Sequence, residues 1–195
     1  MKRDGLCVFG LALAVRTVVF LDARHAPFWT VPLVDESAYI DLARGLLAHT
    51  APAHGAWYVA PGYAYVLAAL LGVGATPTTI KVLQLLAGAA SAWLVWRIGT
   101  RAAGRVAAGI AAAAFALAPV ALLQELLLLK TTFASLAVLA ALDRLLPEPA
   151  NSGIASGRRW IAAAVWLGAA TLLRGELVFI GIALLVVAIM LAKPL

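Results

Sequence analysis

The sequence predicts an all-α, polytopic membrane protein of about six transmembrane helices, with juxtamembrane or re-entrant helices in a long first external loop. Three observations lead there. Of 195 residues, 64% are apolar and 12% charged, and the mean hydropathy is +0.99; a soluble domain runs about 45–50% apolar and about 25% charged. The apolar residues gather in long runs, at 5–21, 58–75, 78–96, 106–123, 126–142, 160–173 and 177–192. The basic residues gather in alternate gaps between those runs. So little polar surface excludes a soluble enzyme, a disordered tail and a nucleic-acid-binding domain. A single cysteine, Cys7, excludes a disulfide framework and a cysteine zinc site.

The first run, 5–21, follows Lys2-Arg3 and resembles a secretory signal core. It contains Arg16, however, and leads into Asp22-Ala23-Arg24-His25, a poor cleavage site. It is read as an uncleaved anchor, with Arg16 snorkelling or anchoring near its outer end. The external loop, 22–77, includes 58–75, which opens with Trp57, Tyr58, Pro61, Gly62, Tyr63 and Tyr65 before a short apolar stretch. Runs 78–96, 106–123 and 126–142 each reach the roughly 17 residues a crossing helix requires. A Gly/Pro/Ser-rich linker within 143–159 separates them from 160–173 and 177–192, which meet at Arg174-Gly175-Glu176. The whole chain forms one membrane domain.

Charge placement sets the topology, because short cytoplasmic loops collect Lys and Arg. If 58–75 does not cross, one side holds Lys2, Arg3, Arg97, Arg101, Arg105, Arg144, Arg158, Arg159 and Lys193 against Asp4, Asp143 and Glu148. The other side then balances five basic residues with six acidic ones. A crossing at 58–75 would abolish this bias, so that segment is expected to be re-entrant or interfacial. Both termini are then cytoplasmic and the active face is extracytoplasmic.

Polar residues near the bilayer mark candidate sites. From Glu36 the first loop reads as an amphipathic helix, with Tyr39, Leu42, Ala43, Leu46 and Leu47 on one face. Asp35 and Glu36 stand at its start, where the helix dipole favours negative charge. They fit simple capping, a general base, or cation binding. Lys81, Gln124, Glu125, Lys130, Arg174 and Glu176 fall on the same side. The short helix 160–173 is expected to hold Arg174 below the membrane surface, facing carboxylates as the wall of a site for an anionic, lipid-borne substrate. Pairing of Arg174 with Glu176 or Glu125, or snorkelling, is the simpler alternative. His25, His49 and His54 form no His-x-x-x-His or Glu-x-x-His pair, so no metal site is expected. No Gly-x-Ser-x-Gly or Walker-type loop occurs.

This layout resembles the GT-C superfamily of membrane glycosyltransferases, in the branch of protein O-mannosyltransferases and aminoarabinose–lipid A transferases. The residues that carry the resemblance are Asp35-Glu36-Ser37-Ala38-Tyr39 with Leu42-Ala43, the segment Tyr58 to Tyr65, the helix opening at Lys81 with Gln84 and Gly88, the turn Gly99 to Arg105, and an Ala-rich helix ending at Pro119. It covers roughly 1–142 well and 160–192 loosely. It implies transfer of a sugar from a polyprenyl-phosphate donor to a protein or lipid acceptor outside the cytoplasm, with no further cofactor. By resemblance Asp35 is the catalytic base; Glu36 is counted with it as a candidate catalytic residue, and Tyr39, Tyr63, Lys81, Glu125, Lys130 and Arg174 are the candidate substrate-binding residues, with Lys81, Lys130 and Arg174 the cations available to a departing phosphate. Glu125 sits in Gln-Glu-Leu-Leu where relatives show an Arg…Asp pattern. Family members carry more helices, so the chain is expected to be an N-terminal half that needs a missing C-terminal part or partner subunit. A non-catalytic subunit or remnant, and a transporter or lipid flippase, are the other classes these residues allow.

Overall fold

A computed structural model describes residues 2–29, 31–50, 60–146 and 157–192. Trp57, Tyr58, most of the 143–159 linker and Lys193 lie outside the described residues, as does His54. Among the described residues all regular structure is helical: α1 (Lys2–Ala23), α2 (Val34–Leu47), α3 (Pro61–Gly72), α4 (Pro77–Ala102), α5 (Gly104–Leu117), α6 (Pro119–Leu126), α7 (Thr131–Leu145), α8 (Gly157–Leu173) and α9 (Val178–Ala192), with short 3-10 turns at Pro27–Trp29 and Gly175–Leu177. Two helices, α1 and α4, are long and apolar enough to cross a membrane, and the bent pair α5–α6 makes a third if it counts as one span. α7, α8 and α9 have 15, 17 and 15 residues, below or at the edge of the length a perpendicular crossing takes.

α4 is the axis of the bundle. α1 runs antiparallel to it: Gly5 abuts Trp93, Ala12 packs with Ala89 and Ala92, and Phe20 packs with Leu85. Small residues let these backbones approach closely. α5 folds back along α4 after a turn in which Gly104 takes φ +83°, a conformation glycine adopts without steric penalty. There Gly99 lies against Ala108, and a Cβ would come within 2.9 Å of its Cα. α7 runs parallel to α4, with Ala134 clustered beside Ile80 and Asp143 reaching Arg97. α8 returns antiparallel to α7, joined by Arg159 Nη2 donating to the Leu146 carbonyl at 2.6 Å.

The starts of the helices follow from local chemistry. Thr76 caps α4, its Oγ1 accepting from the Thr79 amide at 3.2 Å, and Pro77 occupies the first turn, where a missing N–H costs nothing. Pro61 and Pro119 open α3 and α6 in the same way. Pro119 also corrects the predicted 106–123 span. It excludes helical geometry from Ala118, which is extended at φ −63°, ψ 113°, and the axis bends by 47°. α6 then runs through Glu125, so the helix predicted at 126–142 begins five residues later, at Thr131.

The bundle thus has two distinct ends. One gathers α2, α3, the start of α4 and the α6–α7 turn around a core of Tyr39, Ala43, Tyr63, Leu67, Ile80 and Leu128. The other is rich in arginine: Arg97 and Arg101 flank the buried Asp143, Arg101 and Arg159 bind the last carbonyls of α7, and Arg105 pairs with Asp4 at 3.1 Å. Charges that the sequence assigns to opposite faces of a membrane therefore occupy opposite ends of the bundle.

Candidate functional site

At the α2–α3 end, the adjacent carboxylates of the first loop take different environments. The residue before α2 is Leu33, and no side chain caps it. Asp35 and Glu36 instead lie inside the first turn, so simple capping by Asp35 is not what the geometry gives. Asp35 is exposed, and Glu36 is 3% exposed. One helical step of 100° separates them, turning one side chain to solvent and the other into the bundle.

Glu36 reaches α4 and the α6–α7 turn. Its Oε1 accepts from the Leu128 amide at 3.3 Å and lies 3.6 Å from Lys81 Nζ. Lys81 is buried as well, its ammonium 4.5 Å from the centre of the Trp29 ring. A buried carboxylate and a buried ammonium are tolerable together because each neutralises the other, and the aromatic face adds a cation–π contact. Glu36 Oε2, also buried, accepts no hydrogen bond among the described residues.

Tyr39 and Tyr63 stack edge to face at 5.0 Å and 89°. Burial pushes the Tyr39 phenol above its ordinary value, and the negative charge of Asp35 pushes it further. Tyr63 is fully buried and donates its hydroxyl to Gln84 Oε1 at 3.0 Å. The Gln84 amide nitrogen in turn reaches the carbonyls of Gln124, Glu125 and Leu127 at 3.2, 3.4 and 2.7 Å. Gln84 therefore joins α3 and α4 to the place where α6 ends, and it satisfies carbonyls that no further helical turn can bind.

Glu125 lies deeper and belongs to a second cluster. Arg16 Nη2 donates to its Oε1 at 2.9 Å, and Arg16 Nε stands 2.8 Å from its Oε2, an ion-pair distance although that N–H is not aligned for a hydrogen bond. Arg16 is 1% exposed, and its Nη1 also donates to the Ala12 carbonyl at 3.2 Å. Gly88 makes room for the pair. A Cβ there would overlap the Glu125 carboxylate and stand 2.6 Å from Arg16 Nε.

Arg174 does not form the expected wall of buried cation against buried carboxylates. It precedes the short turn between α8 and α9, half-exposed, and its Nε donates to Glu176 Oε1 at 2.8 Å. That bond and the guanidinium charge hold the Glu176 carboxyl below its ordinary value, with a smaller contribution from Lys130. Lys130 is half-buried just before α7. Leu173 and Leu177, which flank Arg174 and Glu176, pack in the same cluster as Tyr39, so these charges lie at the end of the bundle where α2 carries Asp35. Glu125 faces Arg16 instead.

No known protein family, characterised protein or solved structure matches the chain.

Among the described residues no group of three or more His, Cys, Asp or Glu side chains is arranged to hold a metal ion. Three parts of this arrangement differ from what the sequence predicts. Arg16 is expected from the sequence to anchor the helix or snorkel near its outer end, whereas it turns inward to Glu125. Asp35 is set apart from Glu36 in the sequence as the candidate cap and, by resemblance, as the base, but nothing in the spacing shows that Asp35 is exposed and Glu36 buried. Gln84 and Gly88 stand out in the sequence only as motif residues, whereas Gln84 links three segments and Gly88 makes space for an ion pair. A charged residue inside the apolar run 5–21 was the available signal for the first of these, since such a charge needs a partner.

Proposed function

We propose that the chain is a GT-C-like glycosyltransferase, or the N-terminal module of one, with about six membrane crossings, cytoplasmic termini and an active face on the extracytoplasmic side. The observation that carries the reading is the exposed carboxylate of Asp35 on the first turn of α2, beside the charged groups of Tyr39's neighbourhood. Support for the topology is that the basic loops and the α2–α3 end lie at opposite ends of the bundle.

In this mechanism the acceptor hydroxyl attacks the anomeric carbon of a polyprenyl-phosphate sugar. Asp35 takes the hydroxyl proton, the acceptor oxygen bonds to the sugar, and the bond from sugar to phosphate breaks, releasing polyprenyl phosphate. A base positioned this way contributes about 10²–10⁴-fold. Lys130 and Arg174, both partly exposed, are the cations assigned to the departing phosphate. Lys81 is enclosed by Glu36 and Trp29, so it must leave that contact to reach a phosphate directly. Glu36 positions Lys81 and the Leu128 amide and is not itself the base.

The test is transfer of sugar from a fluorescent polyprenyl-phosphate donor in membranes carrying the protein and any downstream sequence or partner subunit it requires. Asp35→Asn is expected to abolish transfer with membrane insertion unchanged. Wild-type transfer by Asp35→Asn removes Asp35 from the mechanism.

A further inference from the structure

Beside the Arg16–Glu125 pair, at the inside of the α5–α6 bend, lies a cavity of about 50 Å³. Gly88 and Ser91 of α4, Phe115 of α5, Glu125 of α6, and Thr132 and Ser135 of α7 line it. Among the residues that line it, Thr132 Oγ1, on a residue 7% exposed, has no hydrogen bond among the described residues, and Glu125 Oε2 has only its ion pair with Arg16 Nε at 2.8 Å. A buried hydroxyl without a partner is costly, and four hydroxyl-bearing residues around one small space (Ser91, Thr131, Thr132, Ser135) are out of keeping with the Ala- and Leu-rich packing elsewhere in the bundle.

We propose that this cavity is an internal water site, holding a small hydrogen-bonded water cluster that completes the coordination of Thr132 and Glu125. Size sets the class of ligand. The volume is several times the roughly 10–15 Å³ one water needs and far below the roughly 300 Å³ where small-molecule pockets begin, so a sugar ring or lipid headgroup does not fit. Charge narrows it further. Arg16 and Glu125 already neutralise each other, so an added cation would meet the guanidinium and an added anion the carboxylate, each in a medium that penalises net charge. A neutral molecule able both to donate and to accept meets neither penalty. Water donates to Glu125 Oε2 and, through the same cluster, serves the Thr132 hydroxyl. The bend at Pro119 opens the space, in keeping with the rule that interrupted helices at membrane depth are found where they are buried in protein or line a wet cavity.

Hydroxyl-radical labelling by X-ray pulses, on the full chain in lipid nanodiscs and read by mass spectrometry, tests this. Radiolysis marks side chains beside water, and Phe115 contacts the cavity while Phe20 is buried among Ala23, Leu85 and Trp29. Phe115 is expected to be modified several-fold faster than Phe20, and Ser135→Leu, which fills the cavity, is expected to bring it down to the Phe20 rate. Thr132→Val, which keeps the shape and deletes the hydroxyl, tests the same point if Ser135→Leu does not fold. Labelling of Phe115 as slow as that of Phe20 overturns the proposal. So does fast labelling unchanged in these variants, which would mean that the water at Phe115 is outside the cavity.

Discussion

Replacing Glu125 with leucine takes away the carboxylate that Arg16 grips through Nε and Nη2 and leaves a guanidinium in the middle of the bundle. The two contacts, 2.8 and 2.9 Å, join side chains that are 0% and 4% exposed. At about 3 Å and an effective dielectric near 20, unit charges attract by roughly 5–6 kcal/mol. Part of that only offsets desolvation, and breaking such a pair from one side costs about 3–5 kcal/mol. Removing both charges together should restore most of the loss, because an apolar pair of similar volume needs no counterion. The assay is a double-mutant cycle with Glu125→Leu, Arg16→Met and the double variant, read by unfolding of nanodisc-reconstituted protein. Both single variants are expected to lose about 3–5 kcal/mol, with the double variant recovering most of that loss. Losses that add, with a coupling energy within about 0.5 kcal/mol of zero, would refute the pairing and return Arg16 to the membrane surface.

Gly88→Ala should destabilise the fold by about 1–3 kcal/mol through overpacking, whereas Gly10→Ala, with open space at its Cβ, should be neutral or stabilise by up to about 1 kcal/mol; thermal unfolding distinguishes them. The Glu176 carboxyl is expected to titrate below its ordinary value of 4.5 by NMR, and Arg174→Gln should return it towards that value. Because its folded value is the depressed one, the stabilisation it brings is present above the unfolded value and is lost as pH falls through the folded value. The Tyr39 phenol should ionise only above 10.0 in an ultraviolet titration, and Asp35→Asn should bring it part of the way back. Since its folded value is raised, any contribution to stability persists below the unfolded value and fades as pH rises past it.

The helices were legible because their signals are local. Apolar runs, Pro61, Pro77 and Pro119 at helix starts, and Gly104 in a turn each act on the nearest few residues. Pro119 also marked the break in the 106–123 run, although the end of an apolar helix and a bend within one look alike when Leu and Val continue past the proline. Gathering of Lys81, Glu36 and Tyr39 at one end was equally readable, since each sits at the same end of its own helix. What was not readable depends on rotation. Whether Asp35 or Glu36 faces inward turns on one 100° step and on how α2 docks against α3, which spacing along one helix does not determine. The Arg16–Glu125 pair depends on two helices far apart in sequence meeting across α4 with a glycine between them.

That pair also sets an order of events during synthesis. Its members are 109 residues apart, and at about 5–20 residues per second the ribosome needs roughly 5–20 s to make that interval. Throughout it, α1 has been made with a charge whose counterion does not yet exist. α1 can already lie along α4 through Gly5, Ala12 and Phe20 before α6 is made, so what waits for α6 is the neutralisation of Arg16 and not the placement of the helix.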